Sequence, residues 1–588
     1  MTPLRRLLCL SLLLLAAAAA PAAEPAVLTV PRLEPFESLD PPRAFDTATD
    51  QVVHAVYSTL LTYAYLERPY KLEPDLLETL PTLSPDGLLL TFRLRHGVRF
   101  ADNPCFAGGK GRELVADDVL FSLRRFADAR LNDKSWFAMS GAVAGLDDYR
   151  AATAKAAPDA DLTATAVAGL RKVDDWTFTV RLTHPNPLFL YALTMSPTAI
   201  VAPEAVRFYK DRLGVNAVGT GPFVLAGEAA RKGTLRLQKN PAYYRSYPVA
   251  GEPGDAARGL LRDAGQRLPL VDVLEMPLIE EAQPAALKFL RGEIDWRMLD
   301  RANFTRLVKR RPDGGFAVAD DAAGRFGISY APSPGVAFVV LNMKDPLLGR
   351  NKALRQALAA AIDSQAMIDV LLNGRGRVLG SIVPFALAGS ERETGAPPPR
   401  HDPALARRLL AQAGYPGGAG LPPLTVSFYQ SDAETHNVFD LWRAQFAAVG
   451  VQLKGAFLDL PTFNRLTGAG SFQLAVNVYT ADYPDAENFY QLLYGPNATP
   501  GTNMGSFADP AYDRAYEASR YLPEGAKRLE WFKAMNAVVA DQAPVIGLFN
   551  PLAFGIHQRW VSNFKRNMLV PENMYLRVDM AAKRQGGR

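Results

Sequence analysis

Apolar and polar positions alternate with period two from Phe472 to Tyr479. Phe472, Leu474, Val476 and Val478 fall on one side and Gln473, Ala475, Asn477 and Tyr479 on the other, which predicts a strand with one face in a core. The strand runs into a turn. After it, Asp485 stands at the N-cap position of a helix whose apolar face is Phe489, Leu492 and Leu493. Asp482 has no comparable local duty. It sits at the mouth of the strand before the rigid Tyr483-Pro484 pair, where loop carboxylates meet ligands. An Asp that caps a turn through its own backbone is an equal reading of that position.

Residues 88–95 (LLLTFRLR) follow an Asp-Gly turn and alternate as a strand, as do residues 173–187. A helix opens at 116–119, where Asp117 can cap and Val119, Leu123 and Phe126 make the buried stripe. Residues 336–344 (VAFVVLNMK) are almost continuously apolar, the pattern of a parallel-sheet strand covered on both faces. Helical registers follow at 350–363 and 364–373, with Gly374 placed for a left-handed C-terminal residue. In the next helix Asp402 is the N-cap, Pro403 the first helical residue, Leu409 and Leu410 the core face and Gly414 the stop. Strand, helix and strand then repeat across 424–458. The Gly-, Ala- and Asp-rich stretch 316–335 reads as a crossover between domains. Together these patterns predict two α/β lobes, with a crossover near residue 330, a return near 550 and two strands forming a hinge.

A chain of 588 residues exceeds what one core organises, which agrees with two lobes. The composition, 48% hydrophobic and 21% charged, is that of a globular protein, and 45 Gly with 45 Pro imply many ordered loops. Residues 1–23 stand apart. Arg5 and Arg6 precede an apolar run to Ala20, and Ala20-Pro21-Ala22 offers a cleavage site, so a signal peptide cut near Ala22 or Ala23 and a periplasmic address are expected. Cys9 lies ahead of most of that run and is not placed for lipidation. Cys105 alone then remains, which excludes an internal disulfide. Without Arg5 and Arg6 the chain carries 63 bases against 60 acids, a net of +3 that implies neither nucleic acid nor a membrane surface.

Candidate chemistry is sparse. His54, His96, His184, His401, His436 and His557 are scattered without metal-ligand spacing, and no nucleophile elbow, Walker loop or dinucleotide fingerprint occurs. Residues 374–380 (GRGRVLG) are glycine-rich but follow a helix rather than a strand and read as a basic loop. Neither an enzyme, a metal site nor a cofactor is expected.

The segment 476–488 resembles the aromatic-x-x-Asp motif of the periplasmic solute-binding proteins of the peptide/nickel ABC importer family, the dipeptide- and oligopeptide-binding type, with Tyr479 in place of the usual Trp. Other stretches resemble the same family in the right order. They are Leu39-Asp40-Pro41, the run from 84 to 123, GTGPFVL at 219–225, QKNPAYY at 238–244 with Tyr244 for Trp, and LRGEIDW at 290–296, followed by the helices near 350, 364 and 403 and by residues 507–519 and 543–549. Three stretches depart from the pattern. Residues 102–114 replace a short turn, 128–174 is long and Ala-rich, and the Gly-, Asp- and Arg-rich 250–269 reads as a surface excursion.

The resemblance implies the two-lobed periplasmic binding protein fold with a two-strand hinge and an extra subdomain in the first lobe. The implied order is a signal peptide at 1–23, first-lobe segments at 24–50 and 196–330, the extra subdomain at 51–195, the second lobe at 331–550 and a first-lobe return at 551–588. It also implies a monomeric receptor that captures peptides by domain closure and delivers them to an inner-membrane ABC permease. Asp482 would take the ligand's ammonium and Tyr479 would line the first side-chain pocket. Val478 and Thr480 would pair their main chain with the ligand, and Phe45 and Asp46 match a ligand-facing loop. A far carboxylate would need a basic partner, for which Arg375, Arg377 and Arg465 are available although a solvated surface is the plainer reading of each. A nickel chelate, haem, opine or sugar as ligand, or a chaperone or sensor role, remain alternatives because fold does not fix ligand.

Overall fold

The computed structural model describes residues 24–586 except 45, 132–133, 158–159, 163–164 and 226. The expected signal peptide and Phe45 lie outside the described residues.

The chain forms two α/β lobes. In the first, Val27–Thr29 runs parallel to Val273–Pro277, which continues antiparallel into Thr234–Lys239 and Phe223–Leu225. A second sheet, wholly antiparallel, joins Thr82–Leu83, Leu89–Arg93, Thr177–Arg181 and Leu170–Lys172. Phe92 and Phe178 face each other there and stack at 4.8 Å. Val119, Leu123 and Phe126 of helix Ala116–Ala127 are buried in the same core, as the stripe predicts. The cap differs by one residue. Val115 is the N-cap, and Asp118 rather than Asp117 reaches back to accept its N–H at 2.9 Å. Arg112 decides the matter, because its guanidinium forks onto both Asp118 oxygens at 2.7 Å and onto Glu204 at 2.7 and 2.8 Å. The 102–114 departure is thus anchored at its end by a bidentate ion pair.

Gly219 and Gly221 are needed for close approach rather than for a bend. A Cβ on Gly219 would lie 2.3 Å from the carbonyl oxygen of Val56, at the end of helix Thr47–Val56, and the Gly221 N–H donates to that oxygen at 2.9 Å.

In the second lobe Gly335–Leu341 is buried along its whole length, as its apolar run predicts, but it pairs antiparallel with both Leu474–Thr480 and Val545–Gln558. The run reports burial on two faces and carries no information on direction. Ala337, Val339 and Leu341 join one core with Leu354, Leu410 and Trp442 of three covering helices, while Val336, Phe338 and Val340 join the other. Parallel pairing does occur further out, between Leu424–Phe428 and both Leu453–Phe457 and Leu474–Thr480. The local punctuation is as read from the sequence. Asp402 accepts the Leu405 N–H at 2.8 Å, and Gly374 and Gly414 adopt φ of +78° and +93°.

The hinge is built on Val545–Gln558. Its first part pairs with Gly335–Leu341 and Gly376–Val378, and its second part with Phe326–Pro332 and Trp296–Met298, so one strand serves both lobes. The second connection runs beside it through Ser333 and Pro334. The buried Asn550 amide donates to the carbonyls of Ser333 and Gly335 at 2.8 and 2.6 Å, and the Ser333 N–H donates to Pro551 at 2.8 Å.

Residues 250–269 are mostly exposed, as expected of a surface excursion, but they are pinned from within. Asp255 is fully buried and accepts from the Lys565 ammonium at 2.8 Å, and Asp263 accepts from Arg577 and from the Asn563 amide at 2.7 Å. Its buried acids are partners for polar groups in the C-terminal return.

Candidate functional site

A cavity of about 460 Å³ lies between the lobes. The first lobe contributes Asp46, Asp50 and His54 around helix Thr47–Val56, Trp296, and the C-terminal segment from Arg566 to Asn573; the second contributes Thr480, Ala481 and Asp482.

Asp482 is exposed at this wall. Its Oδ2 accepts from the Tyr479 hydroxyl at 2.8 Å and from the Asn488 amide at 3.1 Å, and its N–H donates to Asn488 Oδ1 at 3.0 Å. Burial and the adjacent carboxylate push the Tyr479 phenol well above its ordinary range, which keeps it a donor. The loop is fixed from behind. Asp485 accepts the Glu487 N–H at 2.8 Å, but helix Glu487–Tyr490 has Ala486 at its cap, and the chief partner of Asp485 is Arg528. The two form a fork with both bonds at 2.7 Å and side chains 3% and 5% exposed. Tyr483 stacks on Tyr191 of the first lobe at 5.9 Å, and Tyr191 on Tyr63 at 6.5 Å, so rings bridge the lobes beside the loop.

Strand Leu474–Thr480 pairs with Gly335–Leu341 over its full length on one side. On the other, Leu424–Phe428 pairs only at Leu474 and Ala475, so among the described residues the edge from Val476 to Thr480 has no strand partner. This corrects the reading of Val478, which alternation places in a core. It is 45% exposed because its neighbours on that edge have ended. Such an edge presents unpaired N–H and C=O groups.

Asp46 caps helix Thr47–Val56, with Oδ1 taking the Thr49 N–H at 2.8 Å and Oδ2 its hydroxyl at 2.6 Å, so both oxygens are engaged although the residue lines the cavity. One turn on, Asp50 and His54 pair at 3.3 Å with side chains 42% and 20% exposed. Loss of water opposes both charges, yet the mutual attraction prevails, holding the Asp50 carboxyl below and the His54 imidazole above its ordinary pKa of 6.5. The pair therefore stabilises the fold between these two values. The histidine's contribution is present at low pH and lost as pH rises through its raised pKa, and the carboxylate's is lost as pH falls through its lowered one. The melting-temperature difference between wild type and His54→Gln is expected to be largest near neutral pH and to shrink toward pH 9; a difference that grows with pH would refute the pairing.

Arg375 and Arg377 lie over the rings of Phe304 and Phe385 at 5.3 and 3.8 Å, and Arg465 is exposed on helix Leu460–Gly468; none lines the cavity. Arg566 does, and sequence reading missed it with Asp50 and His54. The i, i+4 spacing of the latter two on a helix was the available signal. Among the described residues no group of three or more His, Cys, Asp or Glu is placed to hold a metal ion, and no helix is long and apolar enough to cross a membrane.

Comparisons with known proteins agree with this architecture. The chain is 24% identical over 577 residues to di/tripeptide-binding protein 2 of Pseudomonas aeruginosa, covering 94% of this chain and 96% of that one. It is 25% identical over 492 residues to heme-binding protein A of Haemophilus influenzae, covering 82% and 80%. The structure of the periplasmic binding protein DppA from Helicobacter pylori in complex with the peptide STSA superposes with a TM-score of 0.67 at 22% identity, covering 94% and 98%. Residues 71–529, well over half of the sequence, match the bacterial extracellular solute-binding proteins, family 5. With its two lobes, two-strand hinge and cleft between them, the chain belongs to that family of solute-binding proteins.

Proposed function

We propose that the protein is a periplasmic receptor that captures short peptides by closure of its lobes and delivers them to an inner-membrane ABC permease. The observation that carries this reading is an exposed carboxylate, Asp482, lining the cleft with Thr480 at the end of a strand whose edge from Val476 to Thr480 has no strand partner among the described residues. A peptide offers the same donors and acceptors whatever its sequence, so strand addition along Val478 and Thr480 gives affinity without selecting side chains. Its ammonium, enclosed by closure, needs a charge partner, and Asp482 supplies one. The relatives named for di- and tripeptides support the same ligand class. Contact with both lobes makes ligand affinity differ between open and closed states, which is all that closure requires. On this reading residues 331–550 move as one body against 24–330 and 551–588, and the receptor acts as a monomer.

Mass spectrometry of material released on denaturing the natively purified protein tests the ligand class. A set of short peptides is expected. A single non-peptide compound would replace this reading with that of another solute, for which the similarity to heme-binding protein A is the precedent, and would leave Asp482 as a loop residue bonded to Tyr479 and Asn488.

A further inference from the structure

The glycine-rich basic loop at 374–380 ends away from the interlobe cleft, where Leu379 and Gly380 line a second cavity. It measures about 500 Å³ and lies wholly within the second lobe, between helices Lys352–Ala361, Pro403–Gln412 and Ala526–Gln542 and the start of strand Val545–Gln558. Gly380 is needed for close approach. A Cβ there would lie 2.3 Å from the Ala396 carbonyl oxygen, so glycine lets the loop meet the segment that leads into the exposed prolines at 397–399. Their fixed φ makes that wall of the cavity stiff.

The lining is mainly apolar. Leu379, Ile382 and Ile546 are buried beneath the cavity, while Leu405, Leu409 and Val539 are half-buried where they border it. Leu409, which the sequence places on a core face with Leu410, thus faces this space instead of close-packed neighbours. Of the residues that line the cavity, Arg400 alone is charged. It is exposed, and no hydrogen bond or ion pair joins it to another described residue. The Asn536 amide is the other unused polar group. Its oxygen accepts from the Ser381 and Tyr490 hydroxyls, each at 3.2 Å, and its nitrogen is buried without a partner among the described residues. Both groups are donors, so the cavity favours a ligand with an anionic, acceptor-bearing head and disfavours a cation.

We infer that this cavity is a second ligand site, for a free single-chain fatty acid whose chain lies between the three helices and whose carboxylate meets Arg400. Cavities of this size between helices are a common setting for small-molecule sites. An apolar cavity of about 150 Å³ accepts a six-carbon ring, so this one has room for roughly twelve to twenty carbons, and the paired long chains of a phospholipid exceed that. The inference stands apart from the peptide reading, because the two cavities share no lining residue.

The test is calorimetry on the intact, ligand-stripped protein with octanoate, decanoate and dodecanoate below their micellar concentrations. One saturable site is expected, tightening by about 10-fold for each two carbons added, as burial of methylenes requires. Dodecyltrimethylammonium should bind several-fold more weakly than dodecanoate. Arg400→Glu, a change at an exposed side chain, should weaken dodecanoate by roughly 5- to 10-fold, the scale of one exposed ion pair lost and reversed. Val539→Trp, which fills the cavity from one of its helices, should abolish binding. Dodecanoate with a terminal diazirine, photolysed on wild type, should label residues within 397–409 or 536–547. No saturable binding of dodecanoate by wild type overturns the site even if Val539→Trp fails to fold. So do labels confined to the interlobe cleft, equal binding of the acid and the ammonium, or retention of the protein by phosphatidylglycerol vesicles in place of the free acid.

Discussion

Replacing Asp482 by alanine is expected to weaken binding of free peptides by about 2–5 kcal/mol, roughly 30-fold to several thousand-fold. The loss would be the penalty of enclosing an ammonium with no counter-charge. Stability should change far less, because the fold loses only the acceptor for the Tyr479 hydroxyl and the Asn488 amide, bonds of about 1 kcal/mol each. Asp482→Asn separates charge from shape, since it keeps an acceptor oxygen. N-acetylated peptides give the control: they should bind wild type and Asp482→Ala with equal weakness. Free peptides bound unchanged by Asp482→Ala in titration calorimetry would show that the ammonium lies elsewhere.

Asp485→Ala should have the larger effect on folding. It leaves the Arg528 guanidinium, 5% exposed, without its fork, and uncoupling one member of a buried pair costs about 3–5 kcal/mol. Removing both in Asp485→Ala with Arg528→Met should cost less than the single change, because an apolar chain replaces an unpaired charge. Chemical denaturation of the three proteins checks the order, and a double variant less stable than the single would contradict it. As Asp485 lies three residues from Asp482, the single variant should also lose ligand affinity through a looser loop.

Much of this architecture was legible in the sequence, and the exceptions share a cause. Caps, stops and stripes such as Asp402, Gly414 and Val119 with Leu123 depend on residues within a turn or two of each other, so their spacing exposes them. Asp118 displaced Asp117 as the capping acid because Arg112 forks onto it. The Lys565 to Asp255 bond joins residues 310 positions apart, and the Asp485 to Arg528 fork residues 43 apart. Ion pairs at such separations leave no periodic trace, so the sequence shows 250–269 as a surface segment without its internal anchors and Asp485 as a simple cap. The apolar run of Gly335–Leu341 announced burial but could not announce that both neighbours run antiparallel. At the site, Asp482 was found because its position had no local explanation. Arg566 was missed because no spacing singles it out and only tertiary structure brings it to the cavity.

The strand Val545–Gln558, shared by both lobes, also dictates an order of events during synthesis. Its partners in the first lobe, Trp296–Met298 and Phe326–Pro332, are made more than two hundred residues earlier. As the chain emerges N-terminus first, the later lobe can gather most of its strands while the earlier one waits with an open edge. The N-terminal half is thus the last to be finished, since the strand that closes its sheet edge comes almost at the end of the chain.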